Sequence, residues 1–355
     1  MSKIDRSVLH GATSSSSSLL HEAWVDVVRV AAMSLVVVIH VLNLNTRLVY
    51  LPVDSLGWLT VDAANVGTRW ALPIFTMVTG YLMLDPRKSL DWHGYYHRRI
   101  QRIAWPLLAW TIFYVGVTGY DDHATGKPFG IATIIAMLIK GEPYSHLWYL
   151  YMLVGLYVVC PFIKLATDRM TRGQLIGAVA LCFIVDAFSS SLDALHSVPN
   201  VTYIDDFPHY LGYFLVGHLF GRVLTLPRVA PTVAVLVASF LALTAIIDVV
   251  AHLVSPLAAH QLLGFWNPLI VVISLAVFVL LRRVRVPTSW HQWLAWGGGM
   301  SFGVYLVHPV FLDALLYWTY PRSFPAFAAA VLFVFISSVM VVFVIQRLPV
   351  LRRCI

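Results

Sequence analysis

From residue 24 to residue 347, long apolar runs alternate with short polar intervals. A helix needs about 20 predominantly apolar residues to cross a bilayer. Runs near that length lie at 24–46, 62–84, 103–120, 146–166, 174–191, 207–225, 231–253, 264–283, 298–317 and 326–347. The pattern predicts an all-α integral membrane protein, a single bundle of about ten transmembrane helices over residues 23–355. Residues 1–22 contain the run Ser14 to Ser18 and offer no apolar face to bury, so a disordered tail is expected there. That tail lacks the short apolar core and small-residue cleavage site of a secretory signal peptide.

Composition agrees with this pattern. Hydrophobic residues make up 59% of the 355 and charged residues 12%, about half the charged share of an ordinary globular domain. The net charge of +7 would suit nucleic acid, but the basic residues sit at the ends of apolar runs, where they orient helices. No nucleic-acid partner is therefore expected. With a cytoplasmic amino terminus, 18 of the 24 basic residues fall on the inside. Only Arg47, Lys127, Lys140 and Arg322 fall outside, and Arg29 and Arg69 remain within helices. This asymmetry puts both termini in the cytoplasm. Cys160, Cys182 and Cys354 have neither paired nor metal-ligand spacing, so no metal and no disulfide framework is expected.

Topology gives depth to the polar residues that interrupt the helices. In the first helix, Arg29 and His40 are eleven residues apart, about three turns, so they share a face and lie ~16 Å apart along the axis. Arg29 then sits near the cytoplasmic end and His40 in the outer half. Asp26, one turn before Arg29, is placed to pair with it. The second helix runs inward and carries Arg69 near the level of His40. Intramembrane ionisable groups face an interior or a wet cavity and mark functional sites. Pro73 and Gly80 later in that helix are expected to kink it, either for packing or around a cavity.

Further polar clusters each admit two readings. Arg98, Arg99 and Arg102, on the same membrane side as Arg29, suit the phosphates of a cofactor and equally suit ordinary anchoring. His146, Trp148 and Tyr149 fit an interfacial aromatic belt; rings and a histidine at a cavity mouth also fit a sugar. Ser301, Tyr305 and His308 form a polar stripe on the ninth helix. The chain has no GxSxG, Walker A, HExxH or CxxC motif. Histidine is left as the natural base or nucleophile.

These residues match a known pattern. The Arg29–His40 spacing opened by Asp26 resembles the R-x10-H signature of the acyltransferase family 3 membrane proteins. PIFTMVTGYL resembles that family's P-x-F-x-x-x-S-G-[YF]-L segment, with Thr79 where serine is usual. RRIQRIAWPL, HLWYL and SFGVYLVHP also resemble family segments and occur in the family's order, from about residue 24 to 345. The resemblance implies transfer of an acyl group, most often acetyl from acetyl-CoA, to a hydroxyl of a surface or lipid-linked carbohydrate. It implies a multi-pass protein of the bacterial inner membrane. An appended SGNH hydrolase-like domain, found in some members, is not expected here. The stand-alone members that this chain is similar to are O-acetyltransferases of exopolysaccharide, capsule and enterobacterial common antigen.

Joined to the depth argument, the resemblance implies the following roles. Arg29, helped by Arg98, Arg99 or Arg102, holds the nucleotide of acyl-CoA at the cytoplasmic face. His40 acts as general base or takes the acyl group itself. Arg69, or a backbone amide near the helix-2 kink, stabilises the oxyanion. His146, Trp148, Tyr149 and His308 serve the acceptor. The rival expectation is a transporter or flippase of a lipid-linked saccharide, which ten helices and mid-membrane charges would also suit.

Overall fold

A computed structural model describes residues 7–44, 52–196, 207–318 and 323–355, with side chains over 23–42, 52–189, 207–317 and 323–355. The tail expected at 1–22 lies outside the residues whose side chains are described, as do Arg47 and Arg322. The described residues are helical and contain no strand. The helices are α1 (Ser7–Leu44), α2 (Leu56–Thr68), α3 (Ala71–Met83), α4 (Trp92–Arg99), α5 (Trp105–Ala124), α6 (Ile131–Lys140) and α7 (Trp148–Thr167). They continue with α8 (Arg172–His196), α9 (Phe207–His218), α10 (Val229–Leu253), α11 (Pro256–Gln261), α12 (Pro268–Leu281), α13 (His291–Trp318) and α14 (Phe324–Arg347).

Every segment read as a membrane helix contains a helix. Among the described residues, seven helical stretches are long and apolar enough to cross a bilayer. The other three segments are interrupted or short: 62–84 is divided between α2 and α3, 207–225 holds α9 and a wide turn over Leu219–Val223, and α12 has 14 residues. Three helices fall in intervals read as loops: α4, α6 and α11.

Prolines account for most of the irregular backbone. A proline in a helix lacks the N–H that would bond the carbonyl four residues earlier and crowds that carbonyl. Pro73 does this to Arg69, and the chain breaks at Arg69 and Trp70, between α2 and α3. The interruption around Pro73 takes the form of a break one turn earlier, because the proline's effect falls on its i−4 carbonyl. Gly80 instead serves close packing. A Cβ there would lie 1.8 Å from the Phe214 carbonyl oxygen, and one at Gly217 would lie 1.8 Å from that of Met77. These reciprocal glycines let α3 and α9 touch backbone to backbone. Pro106 likewise follows Arg102, and the chain widens into a π turn over Ile100–Ala104.

The first helix lies at the centre, packed on α2, α3, α12, α13 and α14. At the end of α3 a compact ionic network joins three helices. Lys164 of α7 donates to the Asp85 carbonyl oxygen at 3.0 Å and to both carboxylate oxygens of Asp168 at 3.0 and 2.9 Å. The Asp85 carboxylate accepts from Arg87 at 2.8 and 3.0 Å and from Arg222 at 3.0 Å. Those bonds hold the Asp85 carboxyl well below the usual carboxylate range.

Candidate active site

Three imidazoles meet inside the bundle. The His40 ring of α1 is 4.9 Å from that of His308 of α13, centroid to centroid, and His308 is 5.5 Å from His146, just before α7. His308 and His146 are fully buried and His40 half-buried. The His308–Pro309 dipeptide sets the orientation of this ring. Pro309 frees the carbonyl of Tyr305, and His308 Nδ1 takes it at 2.7 Å, with the Val304 carbonyl at 3.2 Å. Facing two carbonyl oxygens, Nδ1 carries the proton, which leaves Nε2 with its lone pair. His308 Nε2 and both His146 nitrogens make no hydrogen bond among the described residues. Buried polar atoms are nearly always paired, so this concentration is unusual.

Aromatic side chains wall the cluster. Tyr114 packs edge-on to His146 at 4.9 Å and stacks with Tyr144 at 4.4 Å, while the Tyr114 hydroxyl donates to the Leu306 carbonyl at 2.7 Å. The Tyr305 hydroxyl donates to the His146 carbonyl, and that of Tyr144 to the Asp313 carboxylate. Tyr149 shares a 3.1 Å hydrogen bond with Thr76 of α3 and connects the histidines to a second wall. There Trp148 lies 5.9 Å from Tyr210 and 6.4 Å from Phe265. The Arg69 guanidinium, at the α2–α3 break, sits 5.9 Å from the Phe265 ring. The structure therefore brings His40, Arg69, His146, Trp148, Tyr149 and His308 into one connected region.

Toward the other end of α1, Arg29 lies 3.2 Å from Asp26 and is partly exposed. The glycine run in α13 makes room for that pair, since a Cβ on Gly298 would come within 2.6 Å of Asp26 Oδ1. Arg99 lies over the rings of Tyr157 at 5.5 Å and Tyr95 at 5.9 Å, with Nε buried and unbonded among the described residues. Its place follows from another proline. Pro161 frees the Tyr157 carbonyl, and the Tyr95 hydroxyl of α4 takes it at 3.0 Å, drawing α4 onto α7. Arg102 lines a cavity of about 390 Å³ together with Trp105, Arg352 and Arg353. Arg98 stands apart, exposed and 3.9 Å from Asp91.

Tyr114, Tyr144, Thr76 and Asp313 were not anticipated. Asp313 did carry a signal, a carboxylate within an apolar helix. The tyrosines had none, since buried aromatic residues are common in any core. Among the described residues no group of histidine, cysteine and carboxylate side chains is arranged to hold a metal ion.

A basic face at one end of α1 and a cluster of unbonded imidazoles ~16 Å along it suit a reaction with one long, anionic substrate. The model of the acyltransferase domain family matches residues 22–347, nearly the whole chain. No curated protein sequence and no solved structure matches it. The extent of the family match decides the matter: this chain belongs to acyltransferase family 3.

Proposed function

We propose that the protein is an O-acyltransferase of the bacterial inner membrane that moves an acyl group, first of all acetyl, from cytoplasmic acyl-CoA to a hydroxyl of a cell-surface or lipid-linked carbohydrate. Ten crossings with both termini in the cytoplasm fit the 18 to 4 distribution of basic residues. Counting the broken or short segments 62–84, 207–225 and 264–283 with the seven longer spans gives ten in this reading. The observation that carries the reading is the placement of Arg29 and His40 on one helix, one partly exposed beside Asp26 and the other against the buried His308 imidazole.

Arg29, Arg99 and Arg102 bind the donor's phosphates, and the pantetheine arm covers the ~16 Å to His40. His40 removes the proton of the acceptor hydroxyl. The hydroxyl oxygen forms a bond to the thioester carbon, the carbon–sulfur bond breaks, and the CoA thiolate takes the proton back from His40. The Arg69 guanidinium stabilises the oxyanion formed between those events. The acceptor rests against Tyr149 and Trp148, with His146 and His308 supplying nitrogens for its hydroxyls.

The test is transfer of acetyl-labelled acetyl-CoA to a pool of surface glycans by the purified full chain in nanodiscs. Label in glycan with wild type and none with His40→Ala is the expected result. Equal labelling by both proteins would remove His40 from the chemistry, and no labelling by a folded wild type would overturn the reading.

A further inference from the structure

The second helix carries a polar face for which the chemistry above has no use beyond Arg69. Trp58, Asp62, Asn65 and Arg69 are spaced at i, i+4, i+7 and i+11, which puts all four within one narrow stripe about 16 Å long. Ser55 fixes where the stripe begins, its side chain capping the Trp58 amide at 3.1 Å. The opposite face, with Leu56 and Leu59, is exposed. A membrane helix normally buries small or apolar residues against its neighbours; here the buried face is the polar one.

All four residues are at least nine-tenths buried: Trp58 is 3% exposed, Asp62 4%, Asn65 0% and Arg69 8%. Each has a polar atom without a hydrogen bond among the described residues: Trp58 Nε1, Asp62 Oδ2, Asn65 Oδ1 and Arg69 Nε. The Asn65 amide nitrogen donates to the Val61 carbonyl at 3.1 Å, which leaves its oxygen as the free acceptor. α10 packs on α2 and α11 on α10, and His260 of α11 has a buried Nε2 that is also unbonded among the described residues.

Unbonded buried groups cost free energy unless something pairs with them. The set mixes types: Trp58 and Arg69 donate, whereas Asp62 and Asn65 accept. A cation would satisfy only the acceptors and an anion only the donors. Hydroxyl groups donate and accept at once, so a polyol satisfies the whole stripe. We propose that the buried face of α2 is a subsite for the hydroxyl groups of the saccharide acceptor, with Trp58, Asp62 and Asn65 as binding residues that lead it to Arg69 and His40. This subsite rests on the acyltransferase reading above.

The test uses the full chain in nanodiscs, acetyl-labelled acetyl-CoA and the same glycan pool. Trp58→Phe removes the indole donor along with part of the ring, and Asp62→Asn replaces one acceptor oxygen at nearly constant shape. Each is expected to raise the half-saturating glycan concentration at least tenfold while that of acetyl-CoA stays within twofold of wild type. Glycan saturation unchanged in both variants would overturn the subsite alone and mean that water pairs these groups. An equal rise for both substrates, or a shared fall in melting temperature, would make the stripe structural and also overturn it. Absence of His40-dependent transfer by wild type would instead sink the parent reading, and the subsite with it.

Discussion

Two buried polar regions of this protein differ in one respect. In the network around Asp85, the Lys164 ammonium and the Asp85 carboxylate are bonded on every side; among the described residues, His218 Nδ1 and the Nε of Arg222, whose Nη2 bonds Asp85, are the exceptions there. Around His40, by contrast, His146 Nδ1 and Nε2, His308 Nε2 and Arg69 Nε are buried and unbonded among the described residues. A satisfied network locks helices together, whereas unsatisfied groups are held ready for something the chain itself does not supply. The first region should therefore govern stability and the second activity.

The largest effect that would break this contrast lies in the second region. His40→Ala is expected to lower transfer by about 10³-fold, as loss of a general base does, with an unchanged melting temperature in detergent. A variant that melts early and loses activity only through unfolding would put His40 with the structural groups.

Asp85→Asn is the converse. Breaking a buried ion pair from one side costs about 3 kcal/mol, so thermal unfolding should come several degrees early while the saturation constants of the folded protein stay as they are. The pH dependence has a definite sign. The Asp85 carboxyl is depressed in the folded state, so its contribution is present above about pH 4, where the unfolded carboxylate is ionised, and is lost as pH falls toward the folded value. Acid titration of stability should thus be shallower in Asp85→Asn than in wild type.

Gly217→Ala sharpens the comparison by perturbing packing alone. The added methyl would meet the Met77 carbonyl oxygen, and parting α3 from α9 should cost about 2 kcal/mol, measurable as a lower melting temperature. Arg29→Ala gives the smallest effect. The side chain is partly exposed and already paired with Asp26, so a rise of about tenfold in the KM for acetyl-CoA, about 1.4 kcal/mol, is expected without a matching change for the acceptor. An equal change in both constants would take Arg29 off the donor side.

Much of the site was legible because periodicity and depth are properties of a single helix. The Arg29–His40 register holds in α1 whatever packs around it. Pro309, Pro161 and Pro73 could be read too, since each names the carbonyl it frees. Their consequences could not. That His308 Nδ1 takes the Tyr305 carbonyl, or that Tyr95 takes that of Tyr157, depends on which side chain stands nearby. Asp62 and Trp58 carry little signal in the sequence, because the start of a membrane helix is a common place for polar and aromatic residues. Only the burial of that face within the bundle makes them unusual.

By itself the sequence determined the helical class, the approximate limits of the apolar segments, the helix-1 register and the family motifs, all of which follow from local hydrophobicity and spacing. Only the tertiary structure decided which of those polar residues meet. His40, His146 and His308 come from three segments separated by more than a hundred residues, and Arg99 but not Arg98 turns onto the bundle. Contacts of that kind are set by how helices pack and where prolines bend them, and no pattern within one helix encodes the partner it will find.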